Sequence, residues 1–179
     1  MAKPTDARTA FTMTIERQVL YWLKNKNKKT GRHFIPDNLP IYIWEYSLGK
    51  IFYGFPDLGD GIKIAFHHRG EVVTPETLTP NVSEEEIKGM IEVAEDYLDI
   101  EAEFNYSATC MYTNTPDENF IIDFHPLNQN IIIASPCSGH GFNFSSLTGK
   151  ILSDMATAQA VSFDISPFRL NRFNYVSAK

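Results

Sequence analysis

A glycine-containing loop between an apolar run and a helix is the segment best suited to hold a ligand. The run 131–134 predicts a buried strand, and segment 138–143 carries two glycines before a predicted helix. Such a junction presents free backbone N–H groups and a positive dipole end to an anion or a carbonyl. Glycine lets the backbone approach a ligand closely. The pattern is equally typical of a structural turn, so both alternatives stay open.

A cysteine, a lysine and a histidine lie in or at the ends of predicted strands. Cys110 ends one strand, where a lone cysteine is usually a small core residue; a nucleophilic or cofactor-linked cysteine needs partial exposure and a lowered pKa. Lys63 and His67 are four residues apart in another strand and therefore share a face, with Tyr53 on the strand before. Lys63 either extends to solvent or, if held inside, is a fixed cation.

The elements that position these residues are mostly strands. Aromatic and β-branched runs bounded by turn residues predict strands at 16–23, 41–46, 51–54, 62–67, 104–112, 120–124 and 130–134, with turns at 47–50 and 125–128. Segment 16–23 is also compatible with a short helix. The tail after Ala160 has no regular pattern and is predicted to be irregular.

Two helices are predicted. The first begins at Ser83, which forms a capping box with Glu86, and its apolar residues recur at helical spacing through Leu98. The second spans about 146–156. Many strands with few helices indicate an α+β fold: a mixed β-sheet with a capping helix, followed by a C-terminal strand–loop–helix segment.

Charge and composition exclude several functions. A net charge of −6 argues against nucleic-acid binding, and the local basic cluster predicts a solvated loop (Lys24, Lys26, Lys28, Lys29, Arg32). No apolar run is long enough to span a membrane, and the N-terminus lacks a secretory pattern, so we expect a cytoplasmic protein. We expect neither a disulfide between Cys110 and Cys137 nor a metal site, since the ligand spacing is wrong.

Five motifs in this order resemble the monomeric sarcosine oxidase and N-methyltryptophan oxidase family. The resemblance covers nearly the whole chain, from about Arg17 to Asn171. The motifs are Gly54-Phe55-Pro56, Lys63 with His67, Cys110-Met111-Tyr112-Thr113, Phe120-Ile121-Ile122-Asp123-Phe124-His125-Pro126, and Ser138-Gly139-His140-Gly141-Phe142.

The resemblance implies an FAD-dependent oxidase that takes a hydride from the C–H next to nitrogen in N-methyl amino acids and yields an imine and hydrogen peroxide. Lys63 matches the lysine that promotes oxygen reduction; a fixed cation in a dry site stabilises negative charge developing on oxygen. Tyr53 and His67 match residues lining the substrate site. The remaining matches lie around the flavin, with Cys110 at the covalent FAD link (Cys110, Met111, Tyr112, Gly139, His140, Gly141, Phe142).

Two features depart from that family. The G-x-G-x-x-G nucleotide-binding half and the arginines that grip the substrate carboxylate are absent, and Asn143 replaces a lysine that pairs with that carboxylate. Asparagine donates a hydrogen bond but offers no charge. We therefore expect residues 1–115 to be a partial substrate domain and 116–179 the segment that returns to the FAD domain.

A chain of this kind is expected to be incomplete on its own. We expect it to bind no FAD alone, to need the missing FAD-domain half as a partner, and to self-associate. Self-association is expected through strands 120–124 and 130–134 and through Ile151 and Met155, because their apolar surfaces would be exposed to solvent without the FAD-domain half. The alternative to an oxidase is a non-enzymatic remnant or a partner-dependent half of a split flavoenzyme.

Overall fold

The computed structural model describes residues 12–173, which divide into two compact units. The first unit is Ile15–Met111, and the second contains the described residues 112–173 together with residues 12–14. The domain limits predicted at residues 115 and 116 stay a prediction.

A six-stranded sheet forms the first unit. Its strands are β1 (Thr14–Asn25), β2 (Tyr42–Ser47), β3 (Lys50–Phe55), β4 (Ile62–His67), β5 (Val72–Val73) and β6 (Ala102–Asn114). The order is β2-β3-β4-β1-β5, β6 also pairs with β1, and the β1–β4, β1–β5, β2–β3 and β3–β4 ladders are antiparallel. Segment 16–23 is therefore a strand and not a helix, whereas β5 had no signal in the sequence.

One helix covers one face of this sheet. Helix α1 (Glu84–Tyr97) begins at the predicted capping box, in which the Ser83 hydroxyl accepts from the Glu86 N–H and the Glu86 carboxylate accepts from the Ser83 N–H. Met90 and Ala94 are fully buried against the sheet. The core beneath them is apolar (Val19, Tyr21, Leu23, Phe34, Phe52, Ile62, Ile64, Ile100). Burial of these side chains is the main favourable term in folding this unit.

The second unit is a hairpin and a helix with a small core of its own. Strands β7 (Ile121–His125) and β8 (Asn128–Ser135) pair antiparallel, and α2 (Ser145–Ala156) follows a 3₁₀ turn at Gly141–Phe144. The tail contains two further 3₁₀ turns, Ser166–Phe168 and Leu170–Phe173. The sequence therefore predicted both strands and the helix, with α2 beginning one residue earlier than expected.

One sequence expectation about this unit is wrong. Ile122, Ile151 and Met155 are buried together with Ile165, so the helix face and this side of β7 are covered within the unit itself, whereas Ile131 on β8 is 46% exposed. Self-association, which stays a prediction, cannot use these side chains. The α+β class is confirmed by antiparallel sheets with only two α-helices among the described residues.

Two further findings concern function classes. Within residues 12–173, no helix is long and apolar enough to cross a membrane. In the same part of the chain, no group of three or more His, Cys, Asp or Glu side chains could hold a metal ion. Both cysteines are free thiols in this structure; Cys110 is half-buried and Cys137 is exposed.

Candidate active site

The strand register of the first unit separates an apolar core face from a second face that carries Lys63. Lys63 pairs directly with Trp22 on β1 and with Phe55 on β3, and directly opposed residues of antiparallel strands point to the same side. In the next row, Ala65 pairs with Tyr53. This side, opposite α1, is called the Lys63 face (Trp22, Tyr53, Phe55, Lys63, His67).

Aromatic rings hold the lysine on this face. The Nζ atom of Lys63 lies 5.0 Å from the centre of the Phe55 ring and 5.4 Å from that of Trp22. The ring of Tyr106 on β6 stacks on Trp22 at 4.5 Å. Among the described residues, no carboxylate lies within ion-pair distance of Lys63. A half-buried ammonium over two ring faces is attracted by their quadrupoles and keeps its charge available to a further group.

Tyr53 and His67 meet beside the lysine, as their spacing in the sequence predicted. Their rings lie edge to face, with centroids 6.2 Å apart. Both side chains are half-buried, so each keeps a solvent-facing part that a ligand can reach. The Tyr53 ring also contacts the Phe55 ring edge to face, with centroids 6.3 Å apart. The pair of Tyr53 and His67 is therefore adjacent to one of the rings that contact Lys63.

Cys110 lies close enough to Lys63 for the charge of the lysine to affect the thiol. Burial raises the pKa of the Cys110 thiol, whereas the positive charge of Lys63 acts in the opposite direction. The thiol is half-buried, and its neighbour Met111 is exposed. Cys110 is therefore not a fully buried core residue: it is a partly accessible thiol beside a cation, although its pKa is not lowered as a free nucleophile would require.

The cavity on the other side of the sheet is a poorer candidate. A groove of about 930 Å³ lies between α1 and the sheet and includes Arg17, Phe66 and Arg69 in its wall. Arg17 is already bonded: its guanidinium donates to the Glu86 carboxylate at 2.6 Å and to the carbonyl oxygens of Thr79 and Asn81. Arg17, the buried cation of the groove, is thus already ion-paired and hydrogen-bonded within the protein, whereas no described carboxylate pairs with Lys63.

The glycine loop belongs to the second unit, and steric contacts explain both of its glycines. Gly139 has a φ of +81°, and a Cβ there would lie 2.5 Å from the Tyr112 ring. A Cβ on Gly141 would lie 1.6 Å from the carbonyl oxygen of Pro136. Any side chain at either position would displace the loop, so the two glycines hold the loop close to Tyr112 and to its own preceding turn.

Hydrogen bonds and stacking fix the orientation of His140. Its Nδ1 donates to the Ser138 carbonyl oxygen at 2.8 Å, and its ring stacks on Phe120 at 4.8 Å between centroids. Ser138 is fully buried with a φ of +55°, and its N–H donates to the Thr113 carbonyl oxygen. Because Nδ1 carries the shared proton, the neutral ring offers Nε2 as an acceptor.

The end of the loop presents an aromatic ring and an amide. Phe142 is 91% exposed, and Asn143 is exposed beside it. A single exposed apolar side chain is ordinary at a protein surface, so this exposure leaves both alternatives for the loop, ligand binding and a structural turn, open.

The candidate residues fall into two groups. Tyr53, Lys63, His67, Cys110 and Met111 belong to the first unit, and Tyr112 with the glycine loop and Asn143 belongs to the second. Sequence reasoning missed the rings around the lysine (Trp22, Phe55, Tyr106). Period-2 alternation of aromatic residues on predicted strands was the available signal, but it needed the pairing register to show which rings share a face with Lys63.

Comparison with known proteins decides the family. The profile of the FAD dependent oxidoreductase family matches residues 15–155. The chain belongs to that family. It is 40% identical over 169 residues to the monomeric sarcosine oxidase of Streptomyces avermitilis, covering 92% of this chain and 43% of the relative. It is 36% identical to the N-methyl-L-tryptophan oxidase of Citrobacter koseri, covering 88% and 42%. The resemblance inferred from the motifs is confirmed.

Solved structures give the same fold. Glycine oxidase from Geobacillus kaustophilus matches with a TM-score of 0.68 at 21% identity, over 93% of this chain and 41% of that one. Fructosamine oxidase from Aspergillus fumigatus (Amadoriase II) matches with a TM-score of 0.67 at 17% identity, over 96% and 43%. This chain thus spans less than half the length of the relatives that it matches.

Proposed function

We propose that this chain supplies the reaction-facing surface of an FAD-dependent oxidase that acts on N-methyl amino acids. The observation that carries the proposal is Lys63, a half-buried cation held by aromatic rings, unpaired with any described carboxylate and close to Cys110. All of these residues lie in the segment matched by the FAD dependent oxidoreductase profile. The identity to sarcosine and N-methyltryptophan oxidases supports the substrate class.

The residues present fit the ring part of a flavin. In the first unit, Cys110 offers a partly accessible thiol for a covalent link, and the exposed Met111 offers apolar contact to a planar ring system. In the second unit, taken by itself, the exposed Phe142 offers an apolar surface. Beyond the glycine loop, α2 has no side-chain cap, and the N–H of its first residue, Ser145, donates to the Phe142 carbonyl oxygen of the preceding 3₁₀ turn. Tyr112, Gly139, His140 and Gly141 hold that loop in shape.

Lys63 is proposed to act on oxygen. The bound flavin supplies hydride acceptance from the substrate and electron donation to oxygen. The Lys63 ammonium, fixed over the Trp22 and Phe55 rings, places a positive charge where negative charge develops on oxygen. The substrate loses a hydride and a proton, oxygen gains both as hydrogen peroxide, and water hydrolyses the imine.

Tyr53 and His67 are proposed to line the substrate site. By the family resemblance, Asn143 of the second unit is separately proposed to weaken the binding of a substrate carboxylate in the complete oxidase. A neutral amide gives a carboxylate one hydrogen bond without an ion pair, and a charged hydrogen bond contributes roughly 1.5–3 kcal/mol. Asn143→Lys is therefore expected to lower the KM for an N-methyl amino acid by about tenfold. An unchanged or higher KM would assign carboxylate binding to another group.

The adenosine part of FAD is proposed to bind residues outside this sequence. The sequence contains no G-x-G-x-x-G motif, and its relatives are more than twice as long as the matched segment. We expect the isolated chain to be colourless and inactive, and co-expression with a glycine-rich FAD-binding half from a sarcosine oxidase to give a coloured complex.

The test combines a flavin absorption spectrum with a peroxide assay on sarcosine and N-methyl-L-tryptophan. Flavin bound by the co-expressed complex, with peroxide formed from either amine, is the expected result. A complex that binds no flavin would favour the non-enzymatic remnant. Stoichiometric flavin on the isolated chain would overturn the need for a second half.

A further inference from the structure

Two consecutive histidines at the end of β4 lie on the same side of the sheet. Adjacent side chains of a regular strand point to opposite faces. His67 is the last residue of β4, and His68 follows with a φ of +51°, in the left-handed region that is uncommon outside glycine. This conformation breaks the alternation, and the two rings meet with centroids 4.2 Å apart.

A buried carboxylate holds the second ring. Glu16 on β1 is only 7% exposed, and its Oε2 lies 3.2 Å from Nδ1 of His68. Its Oε1 accepts hydrogen bonds from the Gly70 N–H and from the Gln18 amide, each at 2.7 Å. Because an ionised carboxylate only accepts, Nδ1 of His68 carries the shared proton. Donors from two segments thus fix the position of the carboxylate.

The backbone around Gly70 makes this arrangement possible. A Cβ on Gly70 would lie 1.6 Å from the Arg17 carbonyl oxygen, so only glycine lets the chain pass this close to β1. The close approach brings the Gly70 N–H to Glu16 and keeps His68 beside it.

The contacts continue to the candidate substrate site. Glu16 contacts His68, and the ring of His68 contacts the ring of His67. The centroid of the His67 ring lies 6.2 Å from that of the Tyr53 ring. Tyr53 and His67 are residues that the motifs singled out, whereas Glu16 and His68 are not part of those motifs.

We propose that Glu16 and His68 are positioning residues that fix the His67 ring against Tyr53. Their role in turnover rests on the proposed function; the geometric role does not. A half-buried imidazole can rotate about two side-chain torsions. A second ring that is anchored by a carboxylate and packs against the imidazole restricts that rotation. His67 is thus held ready for a ligand on the Lys63 face.

The experiment is nitrogen-15 NMR of the imidazole rings in the full chain. His68 is expected to carry a proton on Nδ1, and Glu16→Gln is expected to shift the ring signals of both His68 and His67. The matched control is Glu71→Gln, which removes a charge from an exposed glutamate next to Gly70 and should shift neither ring.

A second variant separates the ring from the backbone turn. Asparagine tolerates the left-handed region, so His68→Asn keeps the turn and removes the imidazole. We expect the His67 signals to shift or broaden and, in the reconstituted oxidase, the KM for the amine to rise several-fold with little change in kcat.

His67 signals that stay unchanged in both variants would overturn the positioning role, even if the oxidase is active. Shifted His67 signals in a reconstituted complex that oxidises no amine would instead support the positioning role and contradict only the proposed function.

Discussion

The two faces of the six-stranded sheet differ in how each holds its cation. On the α1 face, Phe52 is fully buried, and the cation Arg17 is bonded to Glu86 and to two carbonyl oxygens. On the Lys63 face, the cation lies over two aromatic rings with no carboxylate from residues 12–173 within ion-pair distance, and the thiol of Cys110 is half-buried beside it. A polar group left incompletely paired in a half-buried place costs stability, and this contrast supports the proposed function of the Lys63 face.

The largest expected effect concerns the core face. Phe52→Ala should lower the free energy of unfolding by about 3–5 kcal/mol, because the ring is fully buried among Trp44, Tyr46 and Tyr97. The neighbouring Tyr53→Ala, on the half-buried Lys63 face, should cost much less. Urea unfolding of both variants measures the difference, and equal losses would contradict the assignment of the two faces.

The second largest effect on stability is expected for the ion pair between Arg17 and Glu86 on the α1 face. Glu86→Gln removes the charged partner of buried Arg17 and should destabilise the chain by about 1–3 kcal/mol. Glu85→Gln, an exposed change in the same helical turn, should stay within about 0.5 kcal/mol of the wild type. A Glu86→Gln variant as stable as the Glu85→Gln control would show that Arg17 needs no charged partner.

Acid should remove the same stabilisation. Burial raises the pKa of Glu86, but hydrogen bonds and charge from Arg17, with bonds from Ser83, outweigh it and hold the pKa below its ordinary value of 4.5. A carboxyl group with a lowered folded-state pKa stabilises the fold above its unfolded pKa and loses that contribution as pH falls through the folded value. Stability should therefore decline below about pH 4.5, and less steeply in Glu86→Gln, as thermal unfolding at several pH values will measure.

Asp117 should act in the same direction in the second unit. Hydrogen bonds from Arg172 hold its pKa well below the ordinary value of 3.8. Asp117→Asn should therefore flatten the remaining loss of stability below that pH, and an unchanged acid profile would contradict the role of Arg172.

The smallest expected effect is a change in thiol chemistry. Lys63 opposes the burial that raises the pKa of Cys110, so Lys63→Met should slow alkylation of Cys110 by a factor of about two to five. Mass spectrometry of iodoacetamide-treated protein follows both thiols, and the exposed Cys137 serves as the internal control. Equal alkylation rates of Cys110 in the wild type and in Lys63→Met would show that the charge of Lys63 does not affect this thiol.

Local patterns predicted most of the fold. The capping box at Ser83 marked the start of α1, and alternation and turn residues predicted seven of the eight described strands. β5 has only two residues and carries no periodicity, so nothing in the sequence could reveal it. The buried state of Ile151 and Met155 depends on packing against Ile122 and Ile165, which are distant in sequence.

The candidate site was predicted only in outline. Strand spacing placed Lys63 and His67 on one face, and the structure has them there. The rings of Trp22 and Phe55 around the lysine follow from cross-strand register, which no local pattern encodes. The contact of His68 with Glu16 depends on a left-handed residue and a close pass at Gly70, and both arise from tertiary packing.

The central claim is that Lys63 supplies the fixed charge for oxygen reduction. The most direct measurement is the rate at which oxygen reoxidises the reduced flavin in the reconstituted complex, followed by stopped-flow absorbance. Lys63→Met should lower that rate by roughly 10²- to 10³-fold, and Lys50→Met, an exposed lysine on β3, should leave it unchanged. An unchanged rate in Lys63→Met would contradict the account.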